Sequence, residues 1–321
     1  MTAREALAEG GGALAAAGIE SASLDASLLL AEILGVSRSS LIAAGSDPLA
    51  ATSLAAFRGL VKRRLAGECA AYIIGRKEFY GLEFLVTPAV LVPRPDTETL
   101  VETAMEVISG QWVVNSESCG SKNRATSDNQ PLRVLDLCTG SGAVAIALKH
   151  TMPELEVWAS DISAEALEVA KTNAARLLSP ESIHFCHGDL FEALPNTDNK
   201  QHSPLPTPYS PVPSPQSPVP LILSNPPYIP TAEIAGLSAE VRSEPVIALD
   251  GGSGGLDIIR RIIAEAPQFL CPGGTLLLEA DPRQMRRIET LFEESGFVDI
   301  HTYTDLAGRE RVIGGNYRKQ T

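Results

Sequence analysis

The chain has no apolar run long enough to span a bilayer, and its first residues do not place a basic stretch ahead of an apolar one. Neither a membrane span nor a secretory leader is therefore expected. Positive charge is scarce: 26 Lys and Arg stand against 39 Asp and Glu, a formal charge of −13. That balance argues against a protein that lives on duplex DNA, which needs a basic surface, although it leaves room for a local basic patch. Paired cysteines are also missing. Cys69, Cys119, Cys138, Cys186 and Cys271 are odd in number, scattered, and form no Cys-x-x-Cys pair. They make neither a disulfide framework nor a zinc site, and they fit a reducing cytoplasm. His184 and His187 alternate along one stretch without a third ligand nearby, so they read as structural and no metal is expected.

What is present is an ordinary globular composition, 44% apolar over 321 residues, enough for one large domain and a smaller one. The stretch that organises the larger one is Asn225-Pro226-Pro227-Tyr228. It follows Leu221-Ile222-Leu223-Ser224, a short apolar run that reads as a buried strand. Two consecutive prolines cannot donate to a sheet ladder, so the strand ends there in a stiff loop. In an open α/β sheet, ligands bind at the C-terminal edge of the strands. The loop offers a side-chain amide, backbone carbonyls and an aromatic ring, the parts needed to hold a planar NH2 group.

Taken in order, residues 1–75 read as a helical module. Apolar positions over Leu24–Leu34 recur at helical spacing, with Ser23 as cap and Gly35 as stop, and a second helix is expected from about Pro48 to Leu65. Gly10-Gly11-Gly12 interrupts the first helical pattern. Residues 76–95 follow as a linker, with a hairpin turning near Gly81 and then an extended Pro93-Arg94-Pro95. Asp96 or Thr97 is expected to cap the next helix, and Arg94 and Glu98 to flank the site or simply stiffen the linker.

From residue 96 to 321 strands and helices alternate. Leu132–Leu137 reads as a strand, Cys138-Thr139-Gly140-Ser141-Gly142 as a glycine turn, and Ala143–Leu148 as a helix. Glycines there permit close backbone approach of a nucleotide, and Asp161, ending a second strand about 20 residues on, stands where an acid bonds ribose hydroxyls. Gly140 and Gly142 begin a G-x-G-x-x-G pattern whose third position is Ala145, which that position tolerates. A third strand ends at Asp189 and Leu190, where a carboxylate can accept from an adenine amino group and a leucine can cover the ring. A glycine-rich loop, Gly251 to Gly255, precedes a helix expected over Asp257–Phe269; Pro272-Gly273-Gly274 then turns into strand Thr275–Glu279. Asp281 caps a helix opened by Pro282, and Phe297–Tyr303 and Arg311–Gly314 form a closing strand pair. Two polar insertions, at about 115–131 and at the Pro-rich 200–220, each lead into the start of a strand. Strand starts lie on the edge opposite the ligand site, so both insertions should open away from the chemistry.

Alternating strands and helices imply an α/β fold with a mostly parallel sheet. Pro93 through Glu98, Asp136 through Gly142, Asp161, Gly188 through Phe191, Asn225 through Tyr228 and Gly252 through Arg260 together resemble the bacterial release factor glutamine methyltransferases. Two positions depart: Cys138 stands where glycine is commoner, and Asp281 where the family usually has glycine. The resemblance implies a class I S-adenosylmethionine-dependent fold, a Rossmann-like seven-stranded sheet with its last strand antiparallel, preceded by a small helical domain that docks the release factor. It implies S-adenosylmethionine on Cys138, Thr139, Gly140, Ser141, Gly142, Asp161, Asp189, Leu190 and Asn225. It implies the glutamine of a Gly-Gly-Gln loop on Arg94, Asn225, Pro226, Pro227 and Tyr228, with Asn225, Pro226 and Tyr228 catalytic. A monomeric cytoplasmic enzyme, with no membrane or direct nucleic-acid contact, is expected. The rival readings are a ribosomal-protein glutamine methyltransferase, an adenine N6-methyltransferase, which needs a flipped base and a basic surface, and a non-catalytic adaptor.

Overall fold

Among the described residues, helical periodicity in the first 75 produces five helices: Ala3–Ala16, Ala22–Leu34, Arg38–Ala43, Ala51–Leu65 and Ala70–Ile74. The structure, a computed structural model, describes residues 1–43, 45–114, 131–194 and 217–318. The chain divides into two compact units, the first made of Met1–Arg76, Val86–Pro88 and Gly236–Glu244. Its core gathers Leu14, Leu29, Leu30, Leu41, Phe57 and Val61. The glycine run does not break the first helix, which passes through it. Gly10 is there for space: a Cβ would lie 2.6 Å from the Phe57 ring. The second helix starts two residues earlier than expected, with Ser21 rather than Ser23 as the flanking residue, and Gly35 ends it in the left-handed region at φ 64°. The fourth helix begins at Ala51, not Pro48. Within this unit the buried Arg64 bonds Asp25 at 2.7 Å and Glu240 at 2.6 Å, so the late segment 236–244 is held by a side chain from the fourth helix.

The second unit comprises Lys77–Leu85, Ala89–Ala235 and Pro245–Thr321. Strands β1 (Arg76–Phe79) and β2 (Leu82–Leu85) make the hairpin, with Tyr80 and Gly81 both at positive φ in its turn. The main sheet contains β3 (Arg133–Leu137), β4 (Glu156–Asp161), β5 (Ile183–His187), β6 (Val219–Ser224), β7 (Leu270–Glu279), β8 (Phe297–Thr304) and β9 (Glu310–Tyr317). Their order is β5-β4-β3-β6-β7-β9-β8, parallel from β5 to β7, with β9 antiparallel between β7 and β8. Successive strand residues point to opposite faces, so Leu135, Leu137 and Ile222 enter one core while Val134, Leu221 and Leu223 enter the other.

β7 begins at Leu270, so Pro272-Gly273-Gly274 lies inside it, next to a register shift on β6. The helix from Asp257 ends at Glu265 and passes into a 3-10 turn, Ala266–Gln268, because Pro267 cannot continue it. Asp281 caps a 3-10 turn, Pro282–Gln284, and Gln284 completes a capping box before helix Met285–Glu294. The insertions at 115–131 and 200–220 fall almost wholly outside the described residues. Their described flanks meet at the start edge of the sheet, where the Arg133 guanidinium donates to Ser217 Oγ at 2.6 Å and to the Pro218 carbonyl at 2.9 Å. Among the described residues no helix is long and apolar enough to cross a membrane.

Strand order reverses between β3 and β6, and this topological switch point positions the site. Leu137 and Ser224 are register partners there, and the Ser224 hydroxyl donates to the Leu137 carbonyl at 2.7 Å. The glycine turn and the Asn225 loop therefore leave the sheet side by side.

Candidate active site

A cleft of about 580 Å³ opens at the C-terminal ends of β3, β4, β5 and β6. Its floor is the turn after β3. Cys138 and Gly140 both take left-handed backbone, at φ 59° and 56°. Cys138, where the resemblance led one to expect glycine, thus holds a conformation that glycine adopts without strain. The buried Asp136 accepts the Thr139 hydroxyl at 2.7 Å, and burial pushes its carboxyl up to about 7. Gly142 does not line the cleft. It precedes helix Ala143–Thr151, and a Cβ there would meet Ile146 at 2.9 Å and Ala170 at 3.2 Å, so it serves close helix packing.

Asp161 ends β4 in the cleft wall. Its Oδ2 accepts the Gly140 N–H at 2.8 Å and its Oδ1 the Ser163 N–H at 2.9 Å. Burial raises its pKa, against the pull of those backbone donors. Asp189 and Leu190 also line the cleft, Leu190 at φ 48°. Asp189 is not left to a ligand alone, since the Arg261 guanidinium donates to it at 2.9 Å. Three of the large apolar side chains exposed in this unit, Ile162, Val246 and Ile247, line the cleft as well.

Asn225 and Pro227 line the opposite wall together with Arg94 and Thr97, whereas Pro226 is buried and, with Tyr228, lies outside the lining. Tyr228 packs against the core and its hydroxyl donates to the buried Glu279 at 3.4 Å; burial, first, and Glu279, next, raise its pKa. Asp96 and Thr97 lie in the 3-10 turn Pro95–Thr97 directly ahead of helix Glu98–Val114; Thr97 accepts the Asn225 Nδ2–H at 3.1 Å, and Asp96 pairs with Arg311 at 2.7 Å. Glu98 faces away from the cleft, where it accepts the Tyr80 N–H in the hairpin turn at 3.0 Å. His184 stacks on Trp158, and His187 bonds the Ile162 carbonyl at 3.1 Å.

Thr97, Arg261, Glu279 and the Val246-Ile247 rim were not singled out as site residues from the sequence. Thr97 belongs to the Pro93–Glu98 stretch, yet a threonine ahead of a helix reads first as a cap. Glu279, at the end of an apolar strand, carried the clearest missed signal, because a carboxylate there ends at the ligand edge.

The residues fit S-adenosylmethionine. A glycine turn with open space above Gly140, an acid at the next strand end with lone pairs left over from its backbone bonds, and a partly apolar wall suit an uncharged nucleoside. The volume is in the range of small-molecule sites, roughly 300–1,000 Å³.

Comparison with known proteins adds independent findings. Residues 5–75 match the PrmC N-terminal domain, and residues 134–202 match a methyltransferase domain. The chain is 39% identical over 305 residues to a protein of Geobacter sulfurreducens named release factor glutamine methyltransferase, covering 95% of this chain and 93% of that one. A protein of the same name from Burkholderia pseudomallei is 38% identical over 296 residues, 91% of each. Among solved structures, the hMettl16 catalytic domain with a MAT2A 3′UTR hairpin superposes with a TM-score of 0.52 at 12% identity, covering 81% of this chain and 82% of that one, a likeness of fold alone.

Proposed function

The chain belongs to the release factor glutamine methyltransferases, and from that premise we propose that it transfers a methyl group from S-adenosylmethionine to the side-chain amide nitrogen of the glutamine in the Gly-Gly-Gln loop of peptide-chain release factors. The observation that carries this reading within the structure is the Asn225 carboxamide. It lines the cleft with its NH2 turned to Thr97, which leaves the oxygen for an incoming N–H. We place the activity in the cytoplasm, on a monomer, with the helical module of the first unit docking the release factor.

S-adenosylmethionine, when bound, supplies an electrophilic methyl group; the Cys138–Ser141 turn, Asp161 and Leu190 would hold it. An amide nitrogen is a poor nucleophile because its lone pair is delocalised into the carbonyl. Asn225 Oδ1 would accept one of its N–H bonds and so orient the lone pair. An acceptor at that place favours the positive charge that grows on nitrogen, a stabilisation selective for the transition state. The alkylated nitrogen is acidic and sheds its extra proton without a strong base. Tyr228, whose hydroxyl donates to Glu279, stiffens the loop that carries Asn225.

The test is mass spectrometry of purified release factors and nucleic acids after incubation with isotopically labelled S-adenosylmethionine. One labelled methyl on the Gly-Gly-Gln glutamine is expected. Label on an adenine, or on no release factor, would overturn the reading.

A further inference from the structure

Past Tyr228 the Asn225 loop runs beside the glycine-rich loop, and the two exchange hydrogen bonds. Ile229 N–H donates to the Leu249 carbonyl at 2.9 Å, Gly251 N–H to the Ile229 carbonyl at 2.9 Å, and Thr231 N–H to the Gly252 carbonyl at 3.0 Å. The Thr231 hydroxyl also donates to Asp250 at 2.6 Å. Both loops form cleft wall, through Asn225 and Pro227 on one and Gly251 and Gly252 on the other. Their approach is close. A Cβ on Gly255 would collide with the Tyr228 carbonyl oxygen, and one on Gly251 would lie 2.7 Å from the Pro227 carbonyl oxygen.

Behind this contact stands Gln284, buried and not part of the cleft lining. Its Nε2 donates to the Tyr228 carbonyl at 2.9 Å and, over 3.3 and 3.4 Å, to the carbonyls of Gly255 and Gly254. A carboxamide has two N–H bonds, so three carbonyls from two loops share them. Its Oε1 is engaged separately, accepting the Asp281 N–H at 3.3 Å in the capping box. A cap of that kind needs an acceptor only, so it accounts for the oxygen of Gln284 and not for its NH2. The neighbouring Arg283 reaches helix Thr231–Ile234 through Glu233 at 2.9 Å, but both side chains are exposed and such pairs contribute little.

We propose that Gln284 is a positioning residue for the transfer: its NH2 ties the Asn225 loop to the glycine-rich loop, so that Asn225 is held where the substrate nitrogen arrives. The other hydrogen bonds between the loops lie past Tyr228, whereas the bond from Gln284 falls on Tyr228 itself. Only Pro226 and Pro227 separate Tyr228 from Asn225, and the fixed φ of proline carries the restraint back along the chain. Removing the donor withdraws a bond from each loop at once. The inference rests on the function proposed above. It separates turnover from cofactor affinity, because S-adenosylmethionine is assigned to Cys138–Ser141, Asp161 and Leu190 and not to these two loops.

The experiment compares wild type with Gln284→Glu, Gln284→Met and Asp281→Ala. It uses single-turnover methylation of a release factor, calorimetry with S-adenosylmethionine, and amide hydrogen exchange of the enzyme alone. Gln284→Glu keeps an acceptor for the Asp281 N–H but turns a carboxylate toward three carbonyls. It should slow transfer on the order of 10- to 100-fold and leave affinity for S-adenosylmethionine unchanged. Exchange of the Ile229 and Gly251 N–H groups should quicken by about tenfold, while that of β3 stays as in wild type. Gln284→Met, with neither donor nor matching acceptor, should do the same, and it decides if the glutamate variant does not fold. Asp281→Ala, which removes the cap side chain alone, should lower stability but leave transfer and exchange at those two N–H groups unchanged. Wild-type transfer in Gln284→Glu would reduce Gln284 to its cap and overturn the proposal, and so would exchange that quickens equally across the sheet. Local quickening in an enzyme that methylates no release factor would overturn the function and leave the tie between the loops standing.

Discussion

The Asp161 carboxylate accepts the Gly140 N–H at 2.8 Å, which ties the end of β4 to the glycine turn after β3. One side chain thus shapes the floor of the cleft and forms part of its wall. Asp189 has no such double duty. Its partner Arg261 is a half-exposed guanidinium, and exposed ion pairs contribute little.

Asp161→Ala is therefore expected to weaken S-adenosylmethionine binding at least about tenfold more than Asp189→Ala, because it removes a charge-assisted acceptor and loosens the turn as well. Isothermal calorimetry on both variants measures this. Equal affinities would sink the assignment of Asp161 to the ribose.

The left-handed backbone at Cys138 makes a second prediction, free of any ligand. At a position with ordinary φ, glycine is less stable than alanine; at φ 59° the order reverses. Cys138→Gly should be more stable than Cys138→Ala by about 1 kcal/mol in urea denaturation. The thiol itself is inert, since burial pushes it up to about 12. The opposite stability order would mean that the turn relaxes to another conformation.

In the helical unit, Arg64 and Asp25 are almost wholly buried together. Removing one partner strands the other charge out of water, so Arg64→Ala should cost about 3–5 kcal/mol. The Arg64→Ala/Asp25→Ala pair should cost clearly less than the sum of the single changes. Additive losses would show that the two charges do not depend on each other.

Much of this architecture was legible because its causes are local. An apolar run closed by two prolines specifies a strand and its end, and a glycine turn followed by an acid at the next strand end specifies a nucleotide edge. What escaped the reading depended on contacts distant in sequence. Gly10 sits mid-helix because of Phe57, 47 positions later, and no helical pattern records that. Glu240 belongs with Arg64 although 176 positions separate them. Thr97 offered a familiar local role as a cap, but its hydroxyl is turned to Asn225, 128 positions on. Glu98 was drawn off to the hairpin turn by the Tyr80 N–H.

The Asn225 side chain carries the sharpest prediction, because two jobs for it give different rank orders. As an acceptor it can be replaced in part by a carboxylate; as a loop brace it cannot, since the bond to Thr97 uses its NH2. Asn225→Ala leaves a desolvated substrate N–H unpaired, at about 1–3 kcal/mol. It also deletes a preorganised dipole, a loss on the order of 10²–10³ in rate at comparable sites. Asn225→Asp keeps an acceptor but gives up the donor to Thr97, so it should retain activity below wild type and above Asn225→Ala. Affinity for S-adenosylmethionine should change less than turnover in both. Single-turnover methylation of a release factor ranks the three proteins directly. Should aspartate and alanine be equally inactive while both bind S-adenosylmethionine normally, acceptance of the substrate N–H is not the task of Asn225, and its bond to Thr97 is what the enzyme needs.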